Sequence, residues 1–281
     1  MSRSDTALRY AAFTDRPEGG NPAGVVLDAG ALDDRQRLAI AAGLGYSETV
    51  FLAPRREREY DVRYFSPLAE VPFCGHATVA AAVALAEREG PGALVFHIRA
   101  GTVPVETRIE NGQARATLTS VPPHVEEAPE ALLDGALRAL GWSHAELDPK
   151  LPPRIGYAGA RHLILAAATR ARLAALDYDF DALKALMLDA DLTTVDLVWR
   201  DSPHVFHARN PFPVGGVVED PATGAAAAAF GGYLRALGAV TPPARITIHQ
   251  GVDMGRPSLI EVDIDRDRPE IRVSGSAVAI A

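Results

Sequence analysis

Four side chains in this sequence have the type and setting for proton-transfer chemistry: Glu48, Cys74, His76 and Asp220. His76 and Asp220 stand in two copies of one local pattern, about half the chain apart. Phe73-Cys74-Gly75-His76-Ala77-Thr78 runs into the small-residue stretch 79–86, and Glu219-Asp220-Pro221-Ala222-Thr223-Gly224 runs into 225–230. In each copy a short Gly-containing turn opens an Ala-rich helix. A helix start presents unsatisfied N–H groups and the positive end of the macrodipole, a natural seat for an anion. Two such starts point to one anionic substrate held between two related halves.

Each of these residues also has a plainer use. Glu48, in Ser47-Glu48-Thr49-Val50-Phe51, is either an exposed strand-start carboxylate or a general base set among apolar neighbours. His76 is a helix cap, a loop histidine, or a neutral imidazole able to donate and accept. Asp220 is a cap ahead of Pro221 or an acid–base partner. Cys74 is the only cysteine, so a racemase with two thiols on opposite faces of a carbon is excluded; a small buried hydrophobe is its simpler role.

No metal site and no cofactor is expected. His204 and His207 face oppositely if they share a strand, and no zinc or calcium pattern occurs. Gly19-Gly20-Asn21-Pro22 has neither the P-loop lysine nor dinucleotide spacing. The sequence holds 281 residues, 48% hydrophobic and 23% charged, with a net charge of −8, which argues against a nucleic-acid surface. The first ten residues lack the apolar core of a signal peptide, and the run 77–86 is too short to span a bilayer. A cytoplasmic location with no membrane partner is the expectation.

The elements that must position these groups follow from pattern. Strands are expected near 9–13, 23–27, 49–52 and 60–65, where Tyr60, Val62 and Tyr64 alternate with Asp61 and Arg63. A helix capped by Asp33 should run to Ala42 and stop at Gly43. The Ala-rich helix 77–89 is followed by strands near 94–99, 102–110 and 114–120, the last two joined by Asn111-Gly112, a hairpin signal. After a Pro-rich break at 121–153, strands near 162–167 and 194–199 alternate with helices, and 205–209 leads into Asn210-Pro211. The second Ala-rich helix and strands near 245–250, 259–264 and 271–273 close the chain. The regular βαβ units of a doubly wound sheet, roughly 30 residues each, are missing. The fold class read from the residues is therefore α+β in two similar halves.

Six motifs stand in the order of a known family: Gly20-Asn21-Pro22-Ala23, Ser47-Glu48-Thr49-Val50-Phe51, Arg63-Tyr64-Phe65-Ser66-Pro67 with Glu70, the two helix starts, and the run 250–258 beginning Gln250-Gly251. The chain resembles the phenazine-biosynthesis PhzF-like proteins, relatives of diaminopimelate epimerase and proline racemase, over nearly its whole length. The resemblance implies two pseudo-symmetric halves, each a β-barrel wound around a central helix, with the active site in a cleft between them. It divides this chain into 1–121, completed by 270–281, and 122–269.

The resemblance also implies cofactor-free isomerisation of a small carboxylate-bearing substrate by a homodimer. In the phenazine enzyme the substrate is trans-2,3-dihydro-3-hydroxyanthranilate, and a glutamate matching Glu48 moves a proton between ring carbons. Positions matching His76 and Asp220 bind, polarise and protonate. Asn21, Gly75, Ala77, Thr223, Gly224 and Ala225 are the expected substrate-binding positions. Two departures separate this chain from that enzyme. Ala225 stands where the family usually has Ser, and Cys74-Gly75-His76-Ala77 replaces Ala-Gly-His-Pro. The rival readings are an amino-acid racemase or epimerase, with Glu48 or Cys74 opposite Asp220, and a small-molecule-binding member without catalysis.

Overall fold

A computed structural model describes residues 7–99 and 101–281; the signal-peptide expectation for the first ten residues falls mostly outside the described residues. The chain divides into two units, Met1–Thr119 with Ser274–Ala281, and Ser120–Val273.

The first unit contains strands β1 (Leu8–Ala12), β2 (Asn21–Val26), β3 (Glu48–Arg56), β4 (Glu59–Phe65), β5 (Glu70–Val71), β6 (Gly92–Ile98), β7 (Gly101–Glu110) and β8 (Gln113–Thr119). Its helices are α1 (Asp34–Leu44) and α2 (Gly75–Glu89), and it receives most of the last strand, β17 (Ile271–Ala279). β1–β2, β3–β4, β6–β7 and β7–β8 are antiparallel, whereas β2–β3 and β4–β6 are parallel. β17 pairs with both β8 and β1, which closes an eight-stranded barrel.

The barrel closes on α2, whose residues His76 to Ala86 are all buried. Alanine gives high helix propensity with little bulk, so strand backbones can approach on every side at native packing density. The far end of α2 is held by two phenols: Tyr10 donates to Glu87 at 2.6 Å and Tyr60 to Glu89 at 2.7 Å. The crossover from β2 to β3 is α1, opened by a capping box between Asp33 and Gln36. It does not stop at Gly43. The terminator is Gly45, at φ 70°, because a C-cap needs the left-handed conformation and not merely a glycine.

The second unit contains β9 (His124–Glu127), α3 (Glu130–Leu140), β10 (Arg154–Tyr157), β11 (Arg161–Ala166), α4 (Arg170–Ala174), α5 (Phe180–Asp189), β12 (Thr194–Ser202), β13 (Val205–Phe212), β14 (Val217–Asp220), α6 (Gly224–Ala236), β15 (Ala244–Gln250) and β16 (Ser258–Ile264). Strands pair in the order β9–β10–β11–β12–β13–β15–β16, with β11–β12 and β13–β15 parallel. These strands wrap α6, buried from Ala226 to Leu234. Helices α3 and α5 pack on its outside through Leu137, Leu140, Leu183 and Met187.

From β1 to β7 and from β10 to β16 the pairing sequence is the same: antiparallel, parallel, antiparallel, parallel, antiparallel. The fold is thus two α+β halves of one topology, each a barrel wound on a small-residue helix. No helix among the described residues is long and apolar enough to cross a membrane.

Candidate active site

Chemistry-bearing side chains converge at the start of α2. The parallel pair β2–β3 sets Ala23 beside Glu48, so the first residues of both strands emerge at one end of the barrel. Asn21 Nδ2 lies 3.0 Å from His76 Nδ1. With an amide donor at Nδ1, the neutral ring carries its proton on Nε2. That nitrogen faces Glu48 Oε2 at 3.5 Å and Ser47 Oγ at 3.5 Å. Cys74 Sγ completes the cluster, 3.6 Å from Glu48 Oε2 and 3.4 Å from His76 Nδ1. Cys74 and His76 are buried, while the Glu48 side chain keeps 15% exposure. The cluster therefore meets solvent at its carboxylate.

Local structure fixes these positions. Gly20 turns the chain into Asn21 at φ 66°, and a Cβ there would stand 2.4 Å from the Ala12 carbonyl oxygen. The first turn of α2 is held by Thr78, whose hydroxyl donates to the Cys74 carbonyl at 2.6 Å and meets the Tyr64 hydroxyl at 2.7 Å. Ahead of the helix, Arg63 binds Glu70 through Nε and Nη2, both at 2.7 Å. That guanidinium holds the Glu70 carboxyl below the usual carboxylate range. The bidentate pair anchors the strand that delivers Cys74. The N-cap residue Cys74 makes no side-chain cap bond, which leaves the first-turn N–H groups for an anion.

The second unit builds a related turn at the start of α6. Asp220 ends β14, paired in register with Asn210, and is not the helix cap that its place before Pro221 allows. Thr223 is the N-cap, and its hydroxyl donates to Asp220 Oδ2 at 2.5 Å instead of capping. Gln250 grips the turn from β15: its Nε2 donates to the Asp220 carbonyl at 2.7 Å and to Thr223 Oγ1 at 2.9 Å, and its Oε1 accepts from Thr223 N at 3.0 Å. Ser258 donates to the Pro221 carbonyl at 2.9 Å. Arg209 binds Glu219 through Nε at 2.9 Å and Nη2 at 2.5 Å, repeating the Arg63–Glu70 pair.

Behind that turn runs a buried chain. His162 Nδ1 and Thr194 Oγ1 are 2.8 Å apart, Thr194 donates to Asn210 Oδ1 at 2.7 Å, and Asn210 Nδ2 donates to Asp196 Oδ1 at 3.0 Å. Because the threonine proton is committed to Asn210, His162 donates from Nδ1. Burial pushes the Asp196 carboxyl up to about 7, against the Asn210 hydrogen bond. Burial alone pushes His162 down to about 3.

Of the residues marked by sequence, Asn21, Glu48, Gly75, His76 and Ala77 gather in the first unit, and Asp220, Thr223, Gly224 and Ala225 in the second. Ala77 is fully buried, backbone included, so it shapes the helix start and is not open to a ligand. Cys74 is buried, as a small hydrophobe would be, yet it touches both Glu48 and His76. Three potential ligand atoms, from Glu48, Cys74 and His76, lie within 4.8 Å of one another, a grouping that sequence spacing did not show. Gln250, which begins the last of the six motifs, holds the second helix start, a contact that the sequence alone did not show.

Comparison with known proteins gives a consistent picture. The family described as phenazine biosynthesis-like protein matches residues 10–281. A trans-2,3-dihydro-3-hydroxyanthranilate isomerase of Pseudomonas chlororaphis is 34% identical, over 89% of this chain and 86% of its own. The uncharacterised isomerase YddE of Escherichia coli is 32% identical, over 96% and 94%. The crystal structure of a PhzF-family protein of Bacillus anthracis superposes with a TM-score of 0.89 at 24% identity, covering 98% and 96%. A hydroxyproline epimerase of Agrobacterium vitis shares the fold, with a TM-score of 0.68 at 13% identity over 98% and 90%.

Proposed function

The chain belongs to the phenazine biosynthesis-like family and is an isomerase, and from that premise we propose that it moves a proton on a small carboxylate-bearing substrate with Glu48 as general acid and base. The observation that carries this reading is the position of Glu48. Its partly exposed carboxylate stands 3.5 Å from His76 Nε2 at the mouth of a buried helix. The substrate carboxylate rests on the first-turn N–H groups at Gly75 and His76, where the dipole favours negative charge. Glu48 takes a proton from an acidic carbon, and the electron pair left behind is delocalised into the substrate's conjugated system. Glu48 then returns the proton to a second carbon, so the step is balanced without an external acid, base or oxidant. His76, donating from Nε2, steadies the carboxylate and the developing charge. Asp220, with Thr223, Gly224 and Ala225, is assigned to substrate binding and acid–base support.

One geometric fact weighs against a racemase that sets Glu48 opposite Cys74, while the racemase with Glu48 or Cys74 opposite Asp220 is left to the test below. Two bases on opposite faces of a carbon, each at a reacting distance of about 3–3.5 Å, stand roughly 6–7 Å apart. Glu48 and Cys74 are 3.6 Å apart. They address one face.

The test is NMR of a panel of small carboxylates incubated with the protein in deuterated water. A turned-over substrate should show its proton on a new carbon, with deuterium entering there. Glu48→Gln should lower that exchange by about 10²–10⁴-fold. Full activity in Glu48→Gln on a proven substrate removes the assignment, and exchange confined to one α-carbon with loss of optical rotation turns it to racemisation.

A further inference from the structure

We propose that Cys74 is the positioning residue for Glu48: its thiol holds Oε2 and leaves Oε1 as the oxygen that moves the proton. This rests on the reading of Glu48 as general acid and base, and names the group that aims it. An N-cap side chain ordinarily accepts from an N–H of the first helical turn. Neither central helix follows that use. Cys74 makes no cap bond, and its thiol donates to Glu48 Oε2 at 3.6 Å. Thr223 makes no cap bond either, and its hydroxyl donates to Asp220 Oδ2 at 2.5 Å. In both units the N-cap side chain gives its proton to a carboxylate instead of taking one from the helix.

The direction of the thiol follows from its place on the imidazole. Sγ is nearly equidistant from the two ring nitrogens of His76, 3.4 Å from Nδ1 and 3.7 Å from Nε2. In the plane of the ring those distances would drive the sulfur into Cε1, so it lies over the ring face. The nitrogen lone pair and the N–H bond lie in the ring plane, and Nδ1 is turned to Asn21 at 3.0 Å. The S–H bond therefore ends on the carboxylate and not on the imidazole. A second negative charge beside Glu48 in a buried cluster is unfavourable, which keeps the sulfur a thiol. Both close polar contacts of the carboxylate fall on one oxygen: Oε2 takes Cys74 and faces His76 Nε2 at 3.5 Å. Oε1 has no hydrogen-bond partner among the described residues, yet it is not buried, and the side chain is 15% exposed. Held at Oε2 from two sides, the carboxylate cannot turn without breaking both contacts, and Oε1 stays presented to substrate.

The test has two arms, both on the full chain. The first is the infrared S–H stretching band, which in a chain with one cysteine reports only Cys74. It should lie at lower frequency than that of a thiol without a hydrogen bond. Glu48→Gln should move it up, because a neutral amide is a weaker acceptor than a carboxylate. No S–H band in the wild-type chain, or a band that Glu48→Gln leaves in place, overturns the thiol-to-carboxylate bond. The second arm is steady-state kinetics on the substrate that deuterium exchange identifies. Cys74→Ala should lower kcat about 10–100-fold at nearly unchanged KM, the cost of a base displaced on the order of 1 Å. Cys74→Ser, which restores a donor, should recover part of that loss. With both variants folded by circular dichroism, an undiminished kcat in Cys74→Ala, or Cys74→Ser no faster than Cys74→Ala, reduces the cysteine to packing. Full activity in Glu48→Gln together with the expected band shift removes the isomerase reading instead, so the two failures are told apart.

Discussion

Corresponding positions of the two units carry different chemistry on the same frame. Glu48 opens β3 and Thr194 opens β12; Cys74 and Thr223 precede the central helices; His76 and Ala225 are their second residues. In the first unit these positions hold a carboxylate, a thiol and an imidazole in mutual contact. In the second they hold two hydroxyls and a methyl group, and Thr194 is spent inside the buried chain between His162 and Asn210. The Arg–Glu pairs, by contrast, are kept in both. The two units share what aims the helix start and differ in what stands at it. The second unit's remaining acid, Asp220, is supplied from the turn itself and held by Thr223 and Gln250.

The comparison breaks most sharply on Glu48 and Thr194. If the reacting group belongs to the first unit, Glu48→Gln loses about 10²–10⁴-fold in turnover at unchanged stability. Thr194→Val should do the reverse. It strands His162 Nδ1 and Asn210 Oδ1, costing about 1–3 kcal/mol of stability, with little change in turnover at temperatures where the chain stays folded. Parallel rate and denaturation measurements separate the two outcomes, and a large rate loss in Thr194→Val would refute the division of labour.

The shared Arg–Glu pairs differ in burial, which predicts the second contrast. Arg209 and Glu219 have side chains 10% and 4% exposed, whereas Arg63 and Glu70 are at 24% and 15%. Removing one member of a buried pair leaves an uncompensated charge and costs about 3–5 kcal/mol, so Arg209→Met should be severely destabilised. Arg63→Met leaves Glu70 with Arg99 at 2.8 Å and access to water, and should cost about 1 kcal/mol or less. Urea midpoints of the two variants check the ranking, and equal losses would show that burial does not set it.

The buried chain gives the second unit a pH signature. Asp196 ionises at about 7 in the fold against 3.8 ordinarily. Its contribution to stability is therefore complete below pH 3.8 and is lost as pH rises to about 7. His162, at about 3 in the fold against 6.5 ordinarily, contributes fully above pH 6.5 and loses that contribution as pH falls towards 3. Between pH 3.8 and 6.5 the two slopes oppose each other. Asp196→Asn should leave the histidine slope alone, so stability climbs more steeply with pH across that window. At pH 7.5 the removed penalty has an upper limit of roughly 4 kcal/mol. The new amide's unpaired N–H groups return about 1–3 kcal/mol, leaving a net gain of at most about 1–3 kcal/mol. Melting temperatures from pH 4 to 8 measure this, and an unchanged profile would mean that Asp196 is ionised throughout.

Much of this frame was legible in the sequence because it rests on local signals. The alternation in β4, the Asn111-Gly112 hairpin and the small-residue helices each report their own conformation. Short strands were less legible: β9, β10 and β14 have about four residues each, too few for a period, and exist because neighbours pair with them. The contact of Cys74 with Glu48 is likewise invisible at a separation of 26 residues, since it depends on how the start of α2 packs against the first residue of β3. Asp220 was open to two readings, and the structure removes one of them. Asp-Pro ahead of an Ala-rich run has the form of a cap, but the cap falls on Thr223 and the carboxylate takes its hydroxyl.

The smallest effect tests the most local difference between the units, Ala225 against His76. Ala225 is half-buried at the second position of α6, beside Gly224 and the Thr223 cap. A hydroxyl there would stand among first-turn N–H groups that favour an acceptor, so Ala225→Ser should fold with stability changed by about 0.5 kcal/mol or less. If Ala225 lies at the substrate, the new hydroxyl adds one hydrogen bond of about 0.5–1.5 kcal/mol. That corresponds to a KM lower by roughly 2–12-fold, with kcat unchanged because the bond is made equally in ground and transition states. A change in kcat instead would place the position next to the reacting carbon, and the chemistry would no longer belong to the first unit alone. An unchanged KM would take Ala225 out of the substrate site.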